Sequence, residues 1–217
     1  MKRNPLNTNQ QLHNESDFLG SPVIVDHGYL ITNHLQRMHD CLCRSLECHS
    51  RICLMRFDLY VPAHVSTTVL CSNVVITKFI ASLRAKLEHA HSLSRNEGHR
   101  VHDAYMRHMW CREVSGNGRL HYHVALTLNY AAYAFMGQFN LESRNMYTRI
   151  HEAWACALGM HVSDVPGYVH IPVNPTHQIV RGDEASFNDA FYRVSYFSKM
   201  ETKEYGQGIH TFGCSRS

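Results

Sequence analysis

Tyr196 and Lys199 stand three residues apart in RVSYFSKMETK, downstream of the paired histidines His121 and His123 in REVSGNGRLHYHV. A phenol, an ammonium and two imidazoles in this order are what a metal-assisted tyrosine attack on a DNA phosphodiester requires. Histidine is abundant, 18 in 217 residues, so roughly 1.5 His-x-His pairs are expected by chance. Two occur. His89/His91 lies in a helical pattern, where residues two apart diverge, whereas His121/His123 lies in an alternating stretch, where they share a face. Only the second pair can chelate. Taken alone, it reads as polar strand surface. The tyrosine–lysine spacing is rarer, with a chance expectation of roughly 0.25 in this composition.

The elements around the histidines strengthen the pair. Ala104 to Val114 and Leu120 to Leu128 read as two strands joined by Ser115-Gly116-Asn117-Gly118, a composition that suits a tight hairpin. With the turn centred on Asn117, Glu113 falls opposite His121, and one carboxylate and two imidazoles can meet one ion. Such a set, with coordination positions left open, suits Mg²⁺ or Mn²⁺ working as a Lewis acid on a phosphate better than zinc.

A last helix is expected from near Ser186, with Asp189 as its capping partner, to a point before Gly206. Its wheel places Phe187, Ala190, Phe191, Val194 and Ser198 on a buried side and Tyr192, Tyr196, Lys199 and Lys203 on the far side. Surface tyrosines beside lysines give the same wheel. If that stripe meets the ion, Tyr196 attacks phosphorus and leaves a 5′-phosphotyrosyl enzyme and a free 3′-hydroxyl. Lys199 and Lys203 would then favour ionisation of a phenol whose free pKa is about 10.

Further helices are expected over Leu30 to Glu47, Asn73 to His89 and Leu141 to Leu158, the last closing at Gly159, and further strands over Arg51 to Val61 and Tyr168 to Val173. The sum is an α+β fold, mostly antiparallel, with helices against the sheet. Residues 1–25 are rich in Asn, Gln and Ser and read as a mobile leader, leaving 26–217 as one domain.

Composition supports a real core, with 44% apolar residues. A formal charge of +3 does not announce nucleic acid, so any DNA contact must come from a local basic patch. No long apolar run suggests a membrane span, and the basic start lacks the apolar stretch of a signal peptide, so a cytoplasmic protein with reduced thiols is expected. Cys53, Cys71, Cys111 and Cys156 sit among apolar neighbours and read as buried. His39, Cys41, Cys43, Cys48, His49 and Cys53 are zinc-ligand types, but Cys41 and Cys43 diverge on a helix and no CxxC is present.

Across about Tyr29 to Arg216 the chain resembles the HUH endonucleases of rolling-circle replication. More closely it resembles the phage and prophage family of inovirus replication-protein-like sequences with the YagK/YfjJ C-terminal domain. MRFDLYVP, WCREVSGNGRLHYHVALTLN, AWACALG, YRVSYFSKMETKEYGQG and FGCSR carry the likeness. The resemblance implies His121 and His123 as metal ligands with Glu113 as the third, Tyr196 as nucleophile assisted by Lys199, and a five-stranded antiparallel sheet flanked by helices. It also implies a site-specific single-strand endonuclease and ligase in a bacterial host, acting on single-stranded DNA at a replication origin with host helicase and polymerase as partners. Two departures stand out. The middle residue of HYH is aromatic instead of aliphatic, and Tyr192 adds a second tyrosine, either an alternate nucleophile or a surface residue. The competing readings are a non-catalytic DNA-binding or regulatory protein of the same fold and a zinc-stabilised interaction module.

Overall fold

The computed structural model describes residues 2–65, 72–205 and 208–216. Short strands open the chain: β1 (Arg3–Asn4), β2 (Asn7–His13), β3 (Asp17–Phe18), β4 (Ser21–Pro22) and β5 (Leu30–Ile31). β1, β2 and β5 form a small sheet, and β3 pairs with β4. The segment expected as a leader therefore carries more structure than its polar composition predicts. The physical reason is three spaced apolar residues, Leu12, Phe18 and Val23, all buried. Phe18 reaches Phe191 with ring centroids 6.4 Å apart, docking the segment on the body of the protein.

Next come α1 (Thr32–Cys48), β6 (Arg51–Tyr60), α2 (Val74–Asn96), β7 (Arg107–Val114), β8 (Leu120–Asn129), α3 (Met146–Leu158), β9 (Val169–His170), β10 (Thr176–Val180), α4 (Glu184–Ser195) and β11 (Phe212–Cys214). Six of these strands form one antiparallel sheet in the order β10-β6-β8-β7-β11. β9 also pairs with β6, along the edge that β10 occupies, so the sheet is five strands wide. The fold is α+β with helices on both faces of the sheet. α2 and α3 cover one face through Phe79, Leu83, Ile150 and Trp154, against Phe57, Tyr122 and Val124. α1 and α4 cover the other through Leu35, Met38, Phe191 and Val194, against Leu54, Met109 and Ala125. Covering both faces explains why β6 and β8 read as nearly unbroken apolar runs. Full burial of side chains such as Phe191 contributes about 1.5–3 kcal/mol each.

Local chemistry sets the boundaries. Asn145 caps α3 by accepting from Thr148 N, so the helix starts at Met146 instead of Leu141. Asp183, not the Ser186/Asp189 pair, caps α4, accepting from the amides of Ala185 and Ser186. Asp189 instead meets His177 Nδ1 at 3.2 Å. The strand expected over Tyr168 to Val173 shrinks to two residues, and β10 forms after it. α4 ends at Ser195, passes through a single turn over Tyr196–Ser198, and Lys199 is extended at ψ 139. Gly213 is required on β11, since a Cβ there would fall 2.4 Å from the Trp110 ring.

Cys53 and Cys111 are buried as expected, while Cys156 is exposed on α3 because its position there faces away from the sheet; Cys71 lies outside the described residues. In the Cys/His segment, Cys43 Sγ meets His39 Nδ1 at 3.6 Å. No helix of the described residues is long and apolar enough to cross a membrane.

Candidate active site

The hairpin register is the one the turn requires. Glu113 pairs with His121 across β7 and β8, and Ser115 N bonds Arg119 O to close the turn. Gly118 takes φ +77, a left-handed conformation suited to glycine. Strand parity then sends Glu113, His121 and His123 to the α1/α4 face, and Tyr122 to the opposite core beside Trp154. The three ligand atoms lie within 4.8 Å of one another. The histidines are not polar strand surface: Glu113 is 1% exposed, His121 8% and His123 7%.

Both imidazoles are oriented for coordination. His123 Nδ1 donates to Asp58 Oδ1 at 2.6 Å, and its Nε2 faces Glu113 Oε2 at 3.5 Å. His121 Nδ1 donates to the Arg119 carbonyl at 3.3 Å. In each ring Nδ1 is thus engaged and Nε2 is the nitrogen left for an ion once it is deprotonated, an arrangement that outer partners commonly impose on metal-ligating histidines. Two imidazole nitrogens and one carboxylate with open positions fit a divalent cation such as Mn²⁺ or Mg²⁺.

Asp58 escaped the sequence reading. It sits on β6, directly across from His123 on β8, and also meets His170 Nδ1 at 3.3 Å and Arg56 at 3.6 Å. The signal was a single acid in an apolar strand, Asp58 in MRFDLYV, where a buried charge must have a partner.

Tyr196 comes to the same place from the end of α4. Its ring lies 5.4 Å from the His123 ring, edge to face. Lys199 Nζ is 2.5 Å from the Tyr196 hydroxyl and 3.2 Å from Glu113 Oε2, so one ammonium spans nucleophile and carboxylate. Lys203 Nζ contacts Glu113 Oε1 at 3.3 Å and the Lys199 carbonyl at 2.7 Å. Ala190, Phe191, Val194 and Ser198 are buried, as the wheel predicts, and Tyr192 is exposed. The two lysines depart from it. Both are buried, because the helix ends before them and the extended backbone at Lys199 turns them inward onto Glu113.

The charges follow from these contacts. Burial works against the Glu113 carboxylate, but His123 and Lys203 outweigh it and hold its pKa far below the usual range. Burial likewise disfavours the His123 imidazolium, yet Asp58 and Glu113 overcome it and raise the pKa. At His121, burial and the neighbouring His123 both lower it. Lys199 is penalised by burial, but contacts to Tyr196 and Glu113 raise its pKa, so it remains an ammonium at neutral pH.

The family model described as the YagK/YfjJ C-terminal domain matches residues 13–215, which include every residue of this site. The chain is 30% identical over 199 residues to the uncharacterized protein YagK of Escherichia coli (strain K12), covering 88% of this chain and 95% of that one. It is 28% identical over 200 residues to the uncharacterized protein YfjJ of the same strain, covering 87% and 96%. No solved structure matches the chain. With the match spanning nearly all of its sequence, the chain belongs to the YagK/YfjJ C-terminal domain family.

Proposed function

We propose that this protein is a metal-dependent tyrosine endonuclease and strand transferase of HUH type, allied to inovirus replication proteins. In this reading it acts on single-stranded DNA at the replication origin of a phage or prophage element in the cytoplasm of a bacterial host, where host helicase and polymerase continue synthesis. The observation that carries the reading is the placement of the Tyr196 hydroxyl, through one lysine, beside a carboxylate and two imidazoles.

Glu113, His121 and His123 would hold the cation, and Asp58 would fix the His123 ring. The cation's contribution is Lewis-acid neutralisation of charge on the phosphoryl oxygens, worth several kcal/mol. Tyr196 Oη forms the new bond to phosphorus as the bond from phosphorus to the 3′ oxygen breaks. The phenol proton ends on the released 3′-hydroxyl, and religation reverses these changes. Lys199, held as an ammonium, donates to the phenol oxygen and stabilises negative charge there; it does not act as a base. Tyr192 is exposed, which favours the surface reading over a second nucleophile.

One observation favours the alternative, a non-catalytic DNA-binding protein of the same fold. Both Glu113 oxygens are paired with lysines, so cation binding must displace an ammonium. A nicking assay separates the two readings. Wild-type protein with Mn²⁺ should cleave a single-stranded origin oligonucleotide and remain covalently attached. Tyr196→Phe should bind but not cleave, His121→Ala and EDTA should abolish cleavage, and Tyr192→Phe should retain it. Cleavage by Tyr196→Phe, or cleavage in EDTA, would refute the mechanism.

A further inference from the structure

Beside Tyr196, between α4 and the β10 edge, lies a pocket of about 250 Å³ whose walls include Arg56, His177, Tyr192 and Arg193. Its cationic groups are poorly neutralised. Among the described residues, Arg193 makes one hydrogen bond, from Nη2 to the Val173 carbonyl at 3.1 Å. Burial, then the neighbouring Arg56, destabilise its charge. Arg56 lies over the Tyr196 and Phe197 rings at 5.5 and 5.8 Å. Its ion pair with Asp58 is long, 3.6 Å, because that carboxylate is held more tightly by His123 at 2.6 Å. Among the described residues, the carboxylate on the pocket wall is that of Asp189, which is exposed and turned to His177 Nδ1. Among the described residues, the Nε of both arginines and Nε2 of His177 are buried without a protein partner.

Two guanidiniums around one small pocket, only partly neutralised by Asp58 and Asp189, repel each other, and an anion between them relieves the repulsion. The planar guanidinium matches phosphate oxygens, and stacking on an aromatic ring leaves its N–H edge free for them. The volume exceeds that of an oxyanion alone and leaves room for an attached sugar. The exposed Tyr192 ring at the rim offers a face on which a base can stack.

We propose that this pocket holds the backbone phosphate and sugar of one nucleotide flanking the phosphate attacked by Tyr196. The inference rests on the strand-transfer reading and adds a second DNA contact, made by Arg193 and Arg56.

The test is binding of a fluorescent oligo-dT strand to the full chain in a Tyr196→Phe background, across a salt series. Arg193→Ala should weaken binding roughly tenfold and reduce the slope of log affinity against log salt by about 0.7. Arg193→Gln, which keeps an amide donor for the Val173 carbonyl, should behave alike if folding is intact by thermal melting. Lys86→Ala, on the opposite layer and paired with Glu152, should change neither quantity. Unchanged affinity and slope in both Arg193 variants would overturn the inference even where wild-type protein nicks DNA. Arg193-dependent binding by a protein that never nicks would support the subsite and refute strand transfer. If no strand binds, titration with inorganic phosphate decides: binding lost in Arg193→Gln leaves an anion pocket but overturns the nucleotide as its occupant, and no binding overturns both.

Discussion

Replacing Glu113 with Gln keeps the side chain's shape and removes one negative charge from the centre of the site. Lys203 Nζ, on a side chain 0% exposed, and Lys199 Nζ, on one 9% exposed, lie 3.3 and 3.2 Å from its oxygens. Removing one partner of a buried ion pair costs about 3–5 kcal/mol, chiefly because the remaining charge stays desolvated. Lys199, at the edge of the site beside Tyr196, can turn toward water, whereas Lys203 cannot, so we expect the lower end, about 3 kcal/mol. With a urea dependence of about 3 kcal/mol per molar for a chain of this size, the midpoint should fall by about 1 M. Trp110 and Trp154, both buried, provide the fluorescence signal. Lys203→Met should also destabilise, and the double variant should lose less than the two singles together by about 1–3 kcal/mol, since Met fills the space without a charge. Mn²⁺ at a hundred times its dissociation constant should add about 2.7 kcal/mol to wild type and nothing to Glu113→Gln. A loss under about 1 kcal/mol, or strict additivity in the cycle, would refute the idea that Glu113 neutralises both lysines.

Asp58→Asn should weaken metal affinity about 10–100-fold, measured by calorimetry, because the amide no longer fixes the His123 ring through an anionic acceptor. Stability should also fall below neutrality through His108. Burial, with Arg84 adding to it, depresses that imidazole from 6.5 to about 4, so the unfolded chain takes up a proton that the folded chain refuses. The contribution is present above pH 6.5 and is lost as pH falls toward 4, about 2 kcal/mol by pH 5. Urea melts at pH 7 and 5 should show a smaller difference for His108→Gln; an unchanged difference would rule out His108 as the source.

Local features were legible in the chain before folding. Alternation in HYHV and the Ser115–Gly118 turn placed Glu113 opposite His121, because strand parity and a short loop leave one register. The wheel of α4 separated Phe191 and Val194 from Tyr192 for the same kind of reason. Contacts between distant segments became visible in the fold. Asp58 joins His123 because β6 runs antiparallel beside β8, a contact 65 residues apart in the chain. Leu12, Phe18 and Val23 order the opening segment because α1 and α4 offer an apolar surface to cover. Lys199 and Lys203 leave the helical stripe because the helix ends at Ser195 and a buried carboxylate attracts their ammoniums more strongly than propensity extends the helix. Periodicity fixes a residue's direction within its own element, whereas burial and charge neutralisation, set by elements remote in sequence, decide which residues meet.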